Sequence, residues 1–155
     1  MHNRKLPRLR NFDYSSARIY FVTINCHDYL HHLGQIEHEG EDKIFKPSII
    51  GVTTASSIDD IPKYYPGVEV LDYVVMPNHI HMLISLLESA GNTNLSKIIG
   101  ALKSIVSRKA QLNYPEIKLW KKSFNDHIIR DENDYLTHGK YIQANVQRWG
   151  KDEYF

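Results

Sequence analysis

The stretch Val-Glu-Val-Leu-Asp-Tyr-Val-Val-Met-Pro-Asn-His-Ile-His-Met-Leu-Ile-Ser-Leu, residues 68–86, decides the fold. Val68 to Met76 is rich in β-branched and apolar residues and predicts a strand. Pro77-Asn78 is turn chemistry, and His79 to Leu86 predicts the next strand, so the stretch is a candidate β-hairpin. On a strand, side chains at i and i+2 point to one face. His79 and His81 therefore project together, with Ile80 on the opposite side. Two imidazoles so placed can share one divalent metal, although histidines on a half-buried strand also adopt this spacing merely to make hydrogen bonds. A third ligand has to come from elsewhere. His27, His31, His32, His38 and His127 have no ligand-like spacing with a partner and read as surface or loop histidines.

Working outward, residues 19–26 (Ile-Tyr-Phe-Val-Thr-Ile-Asn-Cys) predict another strand. Residues 28–47 have no clear period and read as a loop or weak hairpin around Gly34. A helix is expected over 48–61, opening at Pro47-Ser48 and stopping before Pro62. The clearest helix spans 94–112, where Leu95, Ile98, Ile99, Leu102, Ile105 and Val106 recur at three- and four-residue steps. Lys97, Ser104, Arg108 and Lys109 lie largely off that stripe, so the helix buries one side and can present cations on the other. His127 to Arg130 is a short strand candidate. A final helix is expected over 132–148, capped by Asp131 or Asn133, with Gly139 in its interior at a cost of about 1 kcal/mol relative to alanine. The order of elements predicts an α+β fold. Its expected form is a ferredoxin-like (RRM-like) sandwich, an antiparallel sheet with helices packed on one face.

The chain has 155 residues, 42% hydrophobic and 24% charged, which suits one globular domain and excludes collagen, coiled coil and a disordered tail. Its one cysteine, Cys26, cannot form an internal disulfide, so a reducing, cytoplasmic setting is expected. No apolar run approaches the roughly 20 residues of a membrane span, and no apolar segment of a secretory signal follows the basic stretch Met1–Arg10. The formal net charge is only +1, but the charge is blocked. Residues 1–18 carry Arg4, Lys5, Arg8, Arg10 and Arg18 against Asp13, and residues 97–122 carry Lys97, Lys103, Arg108, Lys109, Lys118, Lys121 and Lys122 against Glu116. Such segments can be solvated faces or a surface for a polyanion.

On the last helix, His138, Tyr141 and Asn145 follow i, i+3, i+7 and line one strip. A tyrosine can act as a nucleophile if a metal or base offsets its phenolic pKa, near 10 unperturbed, although aromatics at a core edge more often pack. Asn145, one turn on, can supply an oxygen ligand. Tyr135 is a rival nucleophile, but it falls on the apolar side of the helix.

Taken together, these pieces resemble the REP-associated tyrosine transposases, relatives of the IS200-like transposases with one catalytic tyrosine and a His-hydrophobe-His (HUH) motif. The resemblance is carried by Tyr20–Cys26, Gly34-Gln-Ile, Ile61-Pro62 to Tyr65, Val70–His81, Leu102-Lys103-Ser104, Trp120, Phe124–Arg130, Tyr141-Ile-Gln-Ala-Asn145 and Trp149, and covers residues 18–155. It implies a basic N-terminal arm over 1–18 and a single catalytic domain over 19–155. It also implies cleavage of single-stranded, hairpin-forming DNA by transesterification, with a 5′-phosphotyrosine link and a free 3′-hydroxyl. His79 and His81 match the metal-binding histidines, Tyr141 the nucleophile and Asn145 the third ligand. The implied cofactor is Mg²⁺ or Mn²⁺, and the implied assembly a homodimer acting on two DNA ends. Arg4, Arg8, Arg10, Lys97, Lys103, Arg108, Lys109, Trp120, Lys121 and Lys122 are the candidate DNA contacts. Trp120 serves either as a stacking platform or as a core anchor. The family commonly has proline after this asparagine; here it is Val146, which should let the helix run on. The same residues also suit a metal-dependent nuclease that uses water, or a DNA-binding regulator without turnover.

Overall fold

The computed structural model describes residues 17–151. Most of the basic arm read over 1–18, with Arg4, Arg8 and Arg10, lies outside them. The elements run β1 (Ala17–Asn25), β2 (Gly34–Glu39), β3 (Asp42–Pro47), α1 (Ile49–Asp59), α2 (Ile61–Tyr64), β4 (Val68–Met76), β5 (His79–Leu87), α3 (Leu95–Gln111), β6 (Asn125–Ile128) and α4 (Glu132–Ala144).

The hairpin expected over 68–86 is present. β4 and β5 pair antiparallel from Met76↔His79 outward, around the Pro77-Asn78 turn. β5 also pairs antiparallel with β1, and β1 with β6, giving a four-stranded sheet in the order β4-β5-β1-β6. This is the α+β, ferredoxin-like arrangement expected from the sequence. The register slips once, between Val70 and Asp72, where Leu71 bulges out of the ladder. The slip changes the alternation. Val68 and Val70 face the same core as Tyr73 and Val75, while Leu71, Val74 and Met76 face the other.

Each sheet face has its own apolar layer. Val22, Ile24, Ile80, Met82 and Ile84 meet α1 and α3 through Ile50, Ile58, Ile98, Ile99, Leu102 and Val106. Each such side chain, fully buried, contributes roughly 1.5–3 kcal/mol. On the opposite face Ile19, Leu71, Val74, Met76 and Leu83 meet Tyr135 and Ile142 of α4. The helices are thus divided between faces, α1 and α3 on one and α4 on the other, which corrects the expected packing on one face. The reason lies in the alternating strands, which are apolar on both sides and need cover on both.

The helix boundaries follow local chemistry. Ser48 caps α1 by accepting from the Gly51 N–H at 3.0 Å, and Asn94 caps α3 by accepting from the Lys97 N–H at 2.9 Å. Asp131 caps α4, accepting from the Asp134 N–H at 2.8 Å. Gly51 is required, because a Cβ there would collide with the Leu33 carbonyl. Two expectations are corrected and one is extended. Residues 34–47 form a β2–β3 hairpin whose turn is at Gly40, with φ +63°, not at Gly34. α1 ends at Asp59, before Pro62 as expected, but helix resumes at once, with Pro62 in the first turn of the short α2, where its missing N–H costs nothing. The last regular helix stops at Ala144 with Asn145 as its C-cap, and only looser turns carry the chain on to Lys151.

Candidate active site

His79 and His81 sit on β5, an inner strand, and face the α4 side of the sheet. The register places Asn25 opposite His79 and Thr23 opposite His81 on β1, and Met76 and Val74 opposite them on β4. Both imidazoles are buried, at 0% and 1% exposure. Their ring centroids are 4.7 Å apart with planes at 70°. Each Nδ1 is fixed by a neighbour. His81 Nδ1 lies 2.8 Å from Thr23 Oγ1, and His79 Nδ1 lies 2.7 Å from Asn78 Oδ1. Such bonds set the orientation of each ring and make Nε2 the nitrogen that would ligate a metal.

α4 brings Tyr141 to this pair. The Tyr141 and His81 ring centroids are 5.2 Å apart, edge to face at 67°. Phe21 fills the angle between them, 5.1 Å from His81, 6.1 Å from Tyr141 and 4.7 Å from His138. Of the strip His138–Tyr141–Asn145, Tyr141 meets His81 directly and His138 meets Phe21. Asn145 is buried, and Gly139 joins Tyr135 and Ile142 on the buried side of α4. Tyr135 is fully buried in the apolar layer beneath α4, which separates its role from that of half-exposed Tyr141.

Sequence reading missed several contributors. Asn25, on the imidazole face opposite His79, has a buried Oδ1 without a hydrogen-bond partner. Its signal was only the period-two spacing Phe21–Thr23–Asn25. Arg148 stacks its guanidinium 5.7 Å from the Tyr141 ring centroid, and the Trp149 ring lies 6.5 Å from that of His79. His127 is not an isolated surface histidine. Its Nε2 lies 2.9 Å from Asp134 Oδ2, and His138 Nδ1 lies 3.1 Å from Asp134 Oδ1. Partial burial pushes the Asp134 carboxyl up, but the Arg130 N–H and His127 outweigh it and hold the carboxyl below its ordinary value.

The donor set fits a divalent ion. Two imidazoles alone favour zinc or a late transition ion, whereas amide oxygens from Asn145 and Asn25 add the harder donors that Mn²⁺ and Mg²⁺ prefer. His79 Nε2, His81 Nε2, Asn145 Oδ1 and Asn25 Oδ1 are all buried atoms.

The candidate DNA contacts divide by location. Lys97, Arg108 and Lys109 are exposed on α3, across the sheet from the imidazoles. Lys103 donates from Nζ to the Lys121 and Ser123 carbonyls at 2.9 and 3.0 Å, and burial lowers its pKa. Trp120 is half-buried against the α1/α3 layer and donates from Nε1 to the Lys103 carbonyl at 3.0 Å, the anchoring role. Exposed Lys121 lies at the His79 end of β1, where its N–H donates to the Asn25 carbonyl at 2.9 Å, and Lys122 follows it. No helix among the described residues is long and apolar enough to cross a membrane.

Comparison with known proteins adds a family. The sequence model of the transposase IS200-like family matches residues 42–145. An uncharacterized protein of Haemophilus influenzae is 29% identical over 174 aligned positions, spanning all of this chain and 94% of that protein. A second protein of that organism, named a candidate REP-associated tyrosine transposase, is 31% identical over 98 positions, 57% of this chain and 54% of its own length. Among solved structures, a REP-associated tyrosine transposase bound to a REP hairpin matches 99% of this chain and 76% of its own, with a TM-score of 0.65 and 20% identity. A candidate transposase from Deinococcus radiodurans matches 82% of this chain and 90% of its own, with a TM-score of 0.51 and 18% identity.

Proposed function

The chain belongs to the IS200-like transposase family, and from that premise we propose that it cleaves and rejoins single-stranded, hairpin-forming DNA through Tyr141. The observation that carries the reading is the 5.2 Å approach of the Tyr141 ring to His81, within one chain. A nucleophile and the pair that would bind a metal therefore need no partner copy to meet.

In this reading the Tyr141 hydroxyl oxygen attacks a backbone phosphorus. The new O–P bond forms as the P–O3′ bond breaks, the phenol loses its proton, and the departing O3′ ends as a hydroxyl. Reversal by the same or another 3′-hydroxyl rejoins DNA without an external energy source, because one phosphoester replaces another. His79, His81 and Asn145 hold Mg²⁺ or Mn²⁺, with Asn25 as a further oxygen donor on the same face. The ion, when bound, supplies Lewis-acid stabilisation of the charge that develops on the phosphate. Thr23 and Asn78 orient the imidazoles, and Phe21 keeps the phenol upright against His81. Lys121, Lys122 and Arg148 meet the DNA backbone in this reading, with the arm residues Arg4, Arg8 and Arg10. Lys97, Arg108 and Lys109 would meet only DNA that wraps around to the α3 face.

The test is incubation of the protein with hairpin-bearing single-stranded DNA and Mn²⁺, followed by a denaturing gel. A covalent protein–DNA adduct is expected for the native chain and none for Tyr141→Phe. Cut DNA without adduct, indifferent to Tyr141→Phe, would replace the reading with hydrolysis by water. Hairpin binding without cleavage under any metal would replace it with a regulator.

A further inference from the structure

Beside the site just described is a second cluster that it does not use: His127 on β6 with Asp134 and His138 on α4. One ligand atom from each lies within 4.8 Å of the other two. We infer that these three residues form a separate binding site for a late first-row divalent metal of the zinc class, pinning the edge strand to the helix that carries Tyr141.

The geometry supports it. Donors on a tetrahedral ion with bonds of about 2.0 Å stand about 3.3 Å apart. Here His127 Nε2 and His138 Nδ1 lie 3.2 and 3.1 Å from the same oxygen, Asp134 Oδ1. The imidazole rings stack with centroids 4.8 Å apart. Asp134 and His138 are one helical turn apart on α4, a spacing that puts both donors on one face. The Asp134 side chain is only partly buried at 19% exposure and His127 is at 40%, so an ion can arrive from solvent. Two imidazoles and one carboxylate, with a position left for water, select zinc, cobalt or nickel over magnesium. The Arg130 N–H, at 3.0 Å from Asp134 Oδ2, is the outer partner that orients the carboxylate.

Binding has a proton cost. His138 Nδ1 also lies 2.9 Å from the Asp134 backbone carbonyl, and His127 Nε2 shares a proton with the carboxylate. Each nitrogen must present a lone pair to ligate, so any proton it carries has to move to the other ring nitrogen or to solvent.

Zn²⁺ titration of the EDTA-stripped full chain, followed by calorimetry and repeated with Co²⁺ by visible absorption, tests the assignment. Two equivalents are expected for the native chain. The variant His79→Ala/His81→Ala should keep one, and Asp134→Asn and His127→Gln should each weaken it at least tenfold while circular dichroism stays native. Zn²⁺ should raise the melting temperature of the His79→Ala/His81→Ala variant but not of that variant with Asp134→Asn added. One equivalent in the native chain, lost with Asp134→Asn, would leave this site standing and remove the metal from the transposase reading. Native-like Zn²⁺ binding by both Asp134→Asn and His127→Gln would overturn the inference and leave a hydrogen-bonded trio only.

Discussion

The Tyr141 ring meets the His81 ring edge to face, 5.2 Å between centroids, with Phe21 stacked on His81 from the strand beside it. A helix residue and a strand residue sixty positions apart are thus held in one aromatic cluster. Its members should separate cleanly on substitution. Tyr141→Phe keeps the ring and removes the hydroxyl, so the fold should be retained while adduct formation is lost. A large drop in melting temperature would mean that the hydroxyl is structural.

Thr23→Val removes the hydroxyl that fixes His81 Nδ1 while keeping the shape of β1. The expected result is Mn²⁺ affinity weakened by about 10- to 100-fold, the usual effect of losing an outer partner, with native circular dichroism. Unchanged affinity would show that Thr23 does not orient the ring.

Asn25 offers an opposite signature. Its buried Oδ1 has no hydrogen-bond partner, a cost of about 1–3 kcal/mol. Asn25→Leu should therefore raise metal-free stability and lower Mn²⁺ affinity. A variant less stable than the native chain would assign Asn25 a structural bond instead.

Asp134→Asn should cost about 1 kcal/mol of stability at pH 7, from loss of the charge on the group that accepts from Arg130 N–H and His127. The native carboxyl titrates below its ordinary 3.8, so its contribution is full above that value and is lost as pH falls through the lower folded value. Denaturant melts of both proteins between pH 7 and pH 2 should converge at the acid end.

Cys26 is buried under the sheet end, and desolvation pushes its thiol up to about 12, the His32 backbone opposing weakly. A disulfide reagent at pH 8 should leave it unmodified in the folded chain and label it promptly in denaturant. Because the folded value is raised, stability from this group is intact below its ordinary 9.0 and is lost as pH climbs from there toward 12.

Much of this was legible in the sequence, for identifiable reasons. Val68–Met76 and Met76–His79 read correctly because a Pro-Asn turn between β-branched runs leaves few alternatives. The α3 stripe read correctly because Leu95, Ile98, Ile99, Leu102 and Val106 are all buried. The pairing of His79 with His81 followed from pleat alone. The β2–β3 hairpin was obscured because its residues are mostly exposed and carry no apolar alternation. The second helix layer was missed because Val70 to Met76 is apolar on both faces, which conceals which face a helix must cover. His127 joined Asp134 and His138 only through the turn from β6 into α4, a contact that no spacing within one element encodes.

The Leu71 bulge carries a consequence for how the chain tolerates length changes. The tight turn at Pro77-Asn78 locks the downstream half of β4 to β5, so Val74 and Met76 stay beside the imidazoles. Deleting Leu71 would leave that half untouched and close the ladder, because Asp72 and Val70 already pair with the consecutive residues Leu83 and Ile84, so Val68 and Val70 would keep facing the α1/α3 layer. The chain thus carries one spare residue in the ladder, and a gap there would be felt as an apolar side chain lost from the layer under α4 rather than at the histidines.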